Sequence, residues 1–358
     1  MKTVAVDAMG GDGAPAPEVE GAVAAAREQL ARVVLVGDEA RLSSELGRLG
    51  LSRAQAEALG VSVRHASEVI TMDDSPGQAA RSKKDSSMRV AFDLQQKGEV
   101  DAVVSAGNSG AMMACGLFVM KRLAGVDRPG IVTTFPTRTG LCALMDMGAN
   151  VECRPQTLAQ FAVLGSVYAR VLHKKARPKV GLLSNGEEAS KGTELTRGAH
   201  KLLQAAIGPS ADFDYRGYVE GKDIFTGAVD VVVTDGFTGN VVLKTAEGAG
   251  QVIFELLREE ILRARFGKLG ALLLRGAFRR LKKKLEYDEH GGAPLVGIDG
   301  VAILCHGRSN GKAIKNGVRV AASFADAGLV REIATAIGKH APLWAAATAA
   351  EAAQASGS

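Results

Sequence analysis

Six short segments combine glycine with residues that can bind an anion or donate a hydrogen bond to a carbonyl oxygen. They are residues 7–12 (DAMGGD), 105–110 (SAGNSG), 146–150 (DMGAN), 184–192 (SNGEEASKG), 234–240 (TDGFTGN) and 305–310 (CHGRSN). Any one of them alone would indicate only a turn, because glycine, asparagine and aspartate are ordinary turn formers. Each, however, follows a run of residues typical of a strand. Together they predict a ligand site at one edge of a sheet, since parallel α/β sheets bind ligands beyond the carboxyl ends of their strands.

The chemistry that these segments favour is the binding of phosphate. Residues 105–110 lead from a strand into a helix through small side chains, so backbone N–H groups can face an anion. Lys191 adds a cation on a loop, although a single lysine there is more often a solvated surface residue. His306 fits a ligand-facing donor and a structural role equally well. From loop position, the candidate substrate-binding residues are Asp7, Gly10, Gly11, Asp12, Asn108, Ser109, Asp146, Asn150, Asp235 and His306.

The first segment also fits a dinucleotide-binding fingerprint in form, because residues 11–16 follow the order G-x-G-x-x-A. That site needs free backbone N–H groups that face a pyrophosphate. Here Asp12 adds a negative charge, and Pro15 and Pro17 lack the N–H donor. The sequence therefore disfavours a nicotinamide enzyme, and we expect no cofactor.

No residue is predicted to act as a covalent nucleophile. The sequence has no G-x-S-x-G elbow. Cys305 and His306 are adjacent, but consecutive strand residues point to opposite faces and should not pair as nucleophile and base. Phosphate needs little activation, because a phosphomonoester has a second pKa of about 6 and free phosphate should not be far above it. Direct attack by phosphate on a carbonyl would require only positioning, charge neutralisation and donors for the oxyanion.

The segments are connected by alternating strand and helix patterns. Strands are predicted at residues 2–7, 33–38, 61–65, 102–106, 130–135, 141–147, 179–184, 229–234 and 301–306, and helices include residues 155–175, 191–207 and 309–326. This alternation indicates an α/β fold whose mostly parallel sheet is covered on both faces. The turn at residues 136–139 predicts one hairpin, and hence a mixed sheet. Because no linker divides the chain, we expect one two-lobed domain over residues 1–344 and a frayed tail over residues 345–358.

The composition excludes several classes of protein. The 358 residues are 46% hydrophobic and 23% charged, which fits a globular chain and neither a disordered nor a fibrous one. The spacing of the four cysteines, Cys115, Cys142, Cys153 and Cys305, matches neither a disulfide framework nor a zinc site. From the opening residues and the hydropathy pattern we expect neither a secretory signal nor a membrane-spanning segment. We expect a cytoplasmic protein without a metal.

The positive charge is concentrated in one segment. Residues 263–284 contain nine Lys and Arg and no acidic residue, whereas the whole chain has a net charge of only +5. Apolar residues recur there at helical spacing, which predicts a protruding amphipathic hairpin over residues 251–290 that binds an anionic membrane surface. The membrane-associating residues would be Phe266, Leu269, Leu273, Arg279, Arg280, Lys282, Lys283 and Lys284. A solvated helix at a dimer edge is the alternative; nucleic-acid binding is disfavoured, because no recognition motif or row of stacking aromatic residues accompanies the charge.

The order of the motifs resembles that of the bacterial acyl-ACP:phosphate acyltransferases. The resemblance runs to about residue 325 and rests on VDAMGGD (6–12), KKDSSM (83–88), SAGNSGA (105–111), MGAN (147–150), GEEASKG (186–192), GKDIFTG (221–227), DVVVTDGFTGNVVLKT (230–245) and GGAPLVGIDG (291–300). It implies a three-layer α/β/α Rossmann-like fold, related to phosphotransacetylases and to isocitrate and isopropylmalate dehydrogenases, and a homodimer.

The resemblance also implies an activity. A long-chain acyl group would pass from the thioester of acyl carrier protein (ACP) to inorganic phosphate, and the acyl phosphate would serve a membrane acyltransferase in phosphatidic acid synthesis. Lys191 and Asn240 match the family's catalytic lysine and asparagine. Lys84, in the matched KKDSSM motif, is expected to bind substrate or phosphate. Lys191 would neutralise phosphate and the developing oxyanion, while Asn240 would donate to the carbonyl oxygen. The alternative enzyme is a phosphotransacylase that uses coenzyme A, since its carbonyl chemistry would be alike.

Overall fold

The computed structural model describes residues 1–188, 190–206, 212–285 and 291–342. The predicted tail, residues 345–358, lies outside this part, as do the side chains of Lys282, Lys283 and Lys284. No helix within the described ranges combines the length and the apolar character that crossing a membrane would require.

The described chain forms one mixed sheet of 11 strands in the order β3-β2-β1-β4-β11-β10-β5-β6-β9-β7-β8. The strands are β1 (Thr3–Asp7), β2 (Arg32–Gly37), β3 (Val61–His65), β4 (Ala102–Ser105), β5 (Gly130–Pro136), β6 (Leu141–Met145), β7 (Lys179–Leu183), β8 (Asp214–Val219), β9 (Val231–Val233), β10 (Ala293–Val296) and β11 (Ala302–Leu304). Most pairings are parallel, which confirms the predicted class. The predicted hairpin is also present, because β5 and β6 are antiparallel neighbours.

The direction of the strands reverses in the middle of the sheet. Three successive antiparallel pairings join β11 to β10, β10 to β5 and β5 to β6. The strands β6 to β9 therefore run opposite to β1 to β4, and the carboxyl ends of the two halves lie at opposite edges of the sheet. The expectation of a single edge that carries all six segments is wrong, because a hairpin and a further antiparallel strand separate the two parallel halves.

Helices cover both faces of this sheet. They are α1 (Ala16–Arg27), α2 (Glu39–Arg48), α3 (Arg53–Leu59), α4 (Pro76–Ser82), α5 (Ser87–Gln96), α6 (Ser109–Cys115, continued by a π-helical turn at Gly116–Met120), α7 (Pro155–Leu172), α8 (Glu194–Ala206), α9 (Asp223–Thr226), α10 (Gly236–Arg263), α11 (Gly267–Leu273), α12 (Arg275–Leu285), α13 (Gly311–Asp326) and α14 (Leu329–Lys339). Val4 and Val6 of β1 belong to the apolar core that contains α1, α7 and α13, whereas Ala5 faces α5 and α6. This alternation along a strand is what a sheet between two helical layers requires.

Candidate active site

A cavity of about 280 Å³ lies where the loops of the two sheet halves meet. Four of the six predicted segments contribute to its wall, namely residues 105–110, 146–150, 234–240 and 305–310. The lining residues are Met72, Gly107, Ser109, Ile131, Met147, Gly148, Asn240, Leu243, Lys244, Glu247, Ala293, Leu304, Cys305, His306 and Gly307. Loops from both halves of the sheet therefore meet at one cavity.

Asp7 supports the cavity wall from behind. Its buried carboxylate accepts hydrogen bonds from the hydroxyls of Ser87 (2.6 Å) and Ser105 (2.7 Å). Burial raises the pKa of Asp7, and the two serine hydroxyls oppose that shift. A Cβ on Gly10 would lie 2.6 Å from Asp7 Oδ2 and 2.9 Å from Gly107 Cα, so only glycine allows the two loops to approach this closely.

The loop at residues 10–13 continues this close packing. The N–H of Asp12 donates to the carbonyl oxygen of Gly307 at 2.8 Å, while the Asp12 side chain is exposed. Gly11 has no room for a Cβ, because the carboxyl of Glu18 occupies that space. Gly10, Gly11 and Asp12 therefore hold the neighbouring loops in register and are not part of the cavity lining.

Glu18 is a buried carboxyl group that is not among the residues predicted from the sequence. Burial raises the pKa of Glu18 from 4.5 to about 7, and the nearby Asp7 adds to the shift. Since the folded protein holds this proton more tightly than the unfolded chain, stability should fall as the pH rises from about 4.5 to about 7. We expect Glu18→Gln to be more stable than the wild type at pH 8 by up to about 3 kcal/mol, and similar to it near pH 5. Denaturant unfolding of both proteins across this range measures the difference; a difference independent of pH would contradict the assignment.

Asp146 and Asn150 organise the loop that follows β6. The fully buried carboxylate of Asp146 accepts from the backbone N–H groups of Ile131 (2.9 Å), Ala149 (3.2 Å) and Asn150 (2.7 Å) and from Asn150 Nδ2 (2.9 Å). Burial raises the pKa of Asp146 against these four hydrogen bonds. Asn150 also donates to the carbonyl oxygen of Pro129 at 2.7 Å. Both residues shape the cavity without being among its lining residues.

Asn108 and Asp235 are helix N-caps. Asn108 accepts from the N–H of Ala111 at 3.0 Å, and its amide donates to the carbonyl oxygen of Met72 at 3.1 Å. Asp235 accepts from the N–H and the hydroxyl of Thr238, both at 2.8 Å. Their side chains thus satisfy free N–H groups at the helix starts, which is the usual role of Asn and Asp there.

Asn240 and Lys244 face the cavity from α10. They stand one helical turn apart, so they share a face of the helix, and both are exposed. Lys244 pairs with Glu247 at 2.9 Å. In the sequence, Lys244 stands out only as part of the DVVVTDGFTGNVVLKT motif, although its spacing of four residues from Asn240 is a signal that could have identified it.

Ser109 and His306 reach the cavity from the other half of the sheet. The ring Nδ1 of His306 accepts from the N–H of Arg308 at 3.3 Å. In the neutral ring this hydrogen bond assigns the proton to Nε2, which can then donate to a ligand. The cavity thus combines an amide, an imidazole, a hydroxyl and an ammonium group.

Lys191 and Lys84 also lie outside the lining. Lys191 is exposed in the loop before α8, where its N–H donates to the carbonyl oxygen of Glu188 at 2.9 Å. This loop follows β7, beside β9, so it lies at the same edge of the sheet half as Asn240. Lys84 is exposed in the turn before α5. Among the described residues, no cluster of three or more His, Cys, Asp or Glu could hold a metal ion.

Comparisons with known proteins agree on one family. The model of a family described as "Fatty acid synthesis protein" matches residues 2–332. The chain is 54% identical over 331 residues to a phosphate acyltransferase from Geobacter sulfurreducens, covering 92% of this chain and 93% of the relative. It is 56% identical over 318 residues to one from Syntrophotalea carbinolica, covering 89% of each chain. A phosphotransacetylase structure from Streptococcus pyogenes has the same fold, with a TM-score of 0.60, 16% identity and coverage of 91% of this chain and 94% of that one.

Proposed function

Because this chain belongs to the phosphate acyltransferase family, we propose that it transfers a long-chain fatty acyl group from acyl-ACP to inorganic phosphate and supplies acyl phosphate for phospholipid synthesis. The observation that supports this most strongly is the cavity itself. It is lined on one side by Asn240 and Lys244 and on the other by Ser109 and His306, which together can bind a phosphate and a carbonyl oxygen.

In the proposed reaction a phosphate oxygen attacks the thioester carbonyl carbon. A C–O bond forms and the C–S bond breaks. The sulfur leaves as the thiolate of the donor and becomes a thiol with the proton that the attacking hydrogen phosphate loses. Asn240 Nδ2 and His306 Nε2 donate to the developing oxyanion, while Lys191 and Lys244 neutralise the phosphate. Ser109 donates its hydroxyl to a phosphate oxygen. The other predicted residues act by holding the loops, as their hydrogen bonds suggest.

The proposal excludes an acyl-enzyme. Two of the cysteines are buried in the apolar core, where burial raises the pKa of Cys115 and Cys142 to about 12 and disfavours a thiolate. Cys305 lines the cavity and is the residue to test. Mixing enzyme with acyl donor in the absence of phosphate should release no thiol; a stoichiometric burst with an acylated Cys305 would contradict direct attack.

The acyl donor separates the proposal from the coenzyme A alternative. The phosphotransacetylase structure shares the fold of this chain, but its sequence is only 16% identical and does not indicate which acyl donor this chain uses. Rates with palmitoyl-ACP and palmitoyl-CoA at equal concentration distinguish the two. A higher kcat/KM for palmitoyl-ACP supports the proposal, and a clear preference for palmitoyl-CoA rejects it.

We further propose that the basic segment attaches the enzyme to the inner face of the membrane. Phe266, Leu269 and Leu273 expose 71%, 57% and 79% of their surface, and no residue of α11 is buried. Arg279 and Arg280 of α12 are exposed as well. An apolar surface this large, flanked by cations, suits the interface of an anionic lipid layer.

Vesicle sedimentation tests this attachment. We expect binding to anionic vesicles that weakens at high salt. Neutralising Arg279, Arg280 and residues 282–284 should reduce this binding at least tenfold, since each cation near an anionic surface contributes roughly 1 kcal/mol. Leu269→Glu, which places a charge on the apolar surface, should also reduce it at least tenfold. Replacing Lys97 and Lys201, exposed cations outside the segment, with glutamine is the matched control. Equal recovery with neutral and anionic vesicles would reject the proposal.

The proposed function also includes a homodimer and a partner enzyme. A homodimer and delivery of acyl phosphate to a membrane acyltransferase are both expected from the family resemblance. The exposed apolar residues of α10, among them Val252, Ile253 and Leu256, offer a surface for a second copy. Light scattering at micromolar concentration should give twice the monomer mass; a monomer would contradict this part.

A further inference from the structure

A second cavity of about 350 Å³ adjoins the polar one along α10. Its lining residues are Thr133, Thr134, Phe135, Pro136, Phe225, Leu243, Ala246, Glu247, Gly250, Gln251 and Phe254. Phe135 and Phe225 pack edge to face with 5.5 Å between ring centroids, and Phe225 and Phe254 are partly exposed. Aromatic and aliphatic side chains therefore dominate this wall.

The two cavities are neighbours that share part of their lining. Leu243 and Glu247 line both of them. On β5, Ile131 lines the polar cavity while Thr133 and Phe135 line the apolar one, and alternate residues of a strand share one face. Both cavities therefore contact the same face of β5, and the apolar one also contacts the intervening Thr134 and Pro136.

The facing surface of α10 is also a single stripe. Its residues from the polar cavity to the far end of the apolar one are Asn240, Leu243, Lys244, Glu247, Gly250, Gln251 and Phe254. These positions are three or four apart, as one helix face requires, and span roughly 21 Å at 1.5 Å per residue. The stripe therefore runs from the proposed reaction centre along the wall of the apolar cavity.

Three of the four polar side chains that line the apolar cavity, those of Thr134, Glu247 and Gln251, bind protein partners. Glu247 pairs with Lys244, and Gln251 Nε2 donates to Glu255 at 2.9 Å. The hydroxyl of Thr134 lies 2.8 Å from that of Tyr168. The surface that remains for a ligand to contact in this cavity is therefore chiefly apolar.

We propose that this apolar cavity binds the hydrocarbon chain of the acyl donor, with the thioester at Asn240 and the chain running along α10 towards Phe254. The inference rests on the proposed function and adds the subsite that selects long chains. Burial of successive methylene groups would favour long donors over short ones.

Gly250 offers a direct test, because a Cβ there meets no atom within 4 Å and a side chain can project into the cavity. We expect Gly250→Leu to lower kcat/KM for a palmitoyl donor at least about tenfold relative to a butyryl donor, since even one methylene displaced from a fitted pocket costs about that factor. Gly248→Leu is the matched control: it lies on the same helix, also meets nothing within 4 Å and lies outside the lining, so it should leave the ratio unchanged.

The outcomes separate the inference from the proposed function. If the wild type forms no acyl phosphate from either donor, the proposed function fails. If the wild type is active but Gly250→Leu lowers both rates equally, the inference fails. If Gly250→Leu abolishes the dimer without changing the chain-length preference, a second copy of the chain occupies the apolar cavity. That result would also overturn the inference. Ala246→Leu, at another lining position, should reproduce the shift and guards against misfolding of a single variant.

Discussion

Asn240→Ala is expected to lower kcat by about 10²-fold or more while the fold remains intact, the scale seen when one donor to an oxyanion is lost. Asn240 lines the cavity from the first turns of α10 and is exposed to it, so removal of the amide leaves the neighbouring packing unchanged. Steady-state kinetics with saturating donor and phosphate measure the effect. Thr245→Ala, exposed on the same helix outside the cavity, is the control.

Lys191→Ala is expected to reduce turnover by a similar factor through lost neutralisation of phosphate. Lys244→Ala provides the comparison, because Lys244 lines the cavity and Lys191 does not. If Lys191→Ala folds and retains near wild-type turnover while Lys244→Ala loses most of it, then Lys244 and not Lys191 neutralises the phosphate.

Of the single substitutions proposed for this chain, Gly239→Ala should lower the free energy of unfolding most. A Cβ at this position of α10 would overlap the backbone oxygen of Asp146 and crowd Thr234 Cγ2 at 3.1 Å. Backbone cannot move aside as a flexible side chain can, so we expect a loss of about 3 kcal/mol in the free energy of unfolding. Displacement of the neighbouring Asn240 should lower kcat about 10²-fold as well.

Gly248→Ala on the same helix is the matched control. No atom lies within 4 Å of its Cβ, so the better helix propensity of alanine should stabilise the protein by about 0.5–1 kcal/mol. Denaturant unfolding compares the two variants. Equal stabilities would contradict the close packing of α10 against the loop of Asp146.

The local signals in the sequence predicted the elements well. The nine predicted strands match β1 to β7, β9 and β11 to within a few residues, because β-branched runs mark buried parallel strands. Two strands were missed: β8 contains Gly217, and β10 has only four residues and includes Pro294, which argues against a strand. The reversal of strand direction depends on β10, so it could not be predicted.

The sequence predicted which loops form the site better than it predicted the roles of the individual residues in them. Four glycine-rich segments do line the cavity. Asp146 and Asp235, however, look in sequence like any acidic residue at a strand end, and only the structure gives their hydrogen bonds to backbone N–H groups. Glu18 gave no signal, since its burial depends on packing between distant loops.

The most direct test of the central proposal is to incubate the purified protein with palmitoyl-ACP and inorganic phosphate and to follow both products. The account predicts that thiol release requires phosphate and is matched one for one by palmitoyl phosphate, detected as the hydroxamate after trapping with hydroxylamine. Thiol release that does not depend on phosphate, or that yields free fatty acid without acyl phosphate, would contradict it.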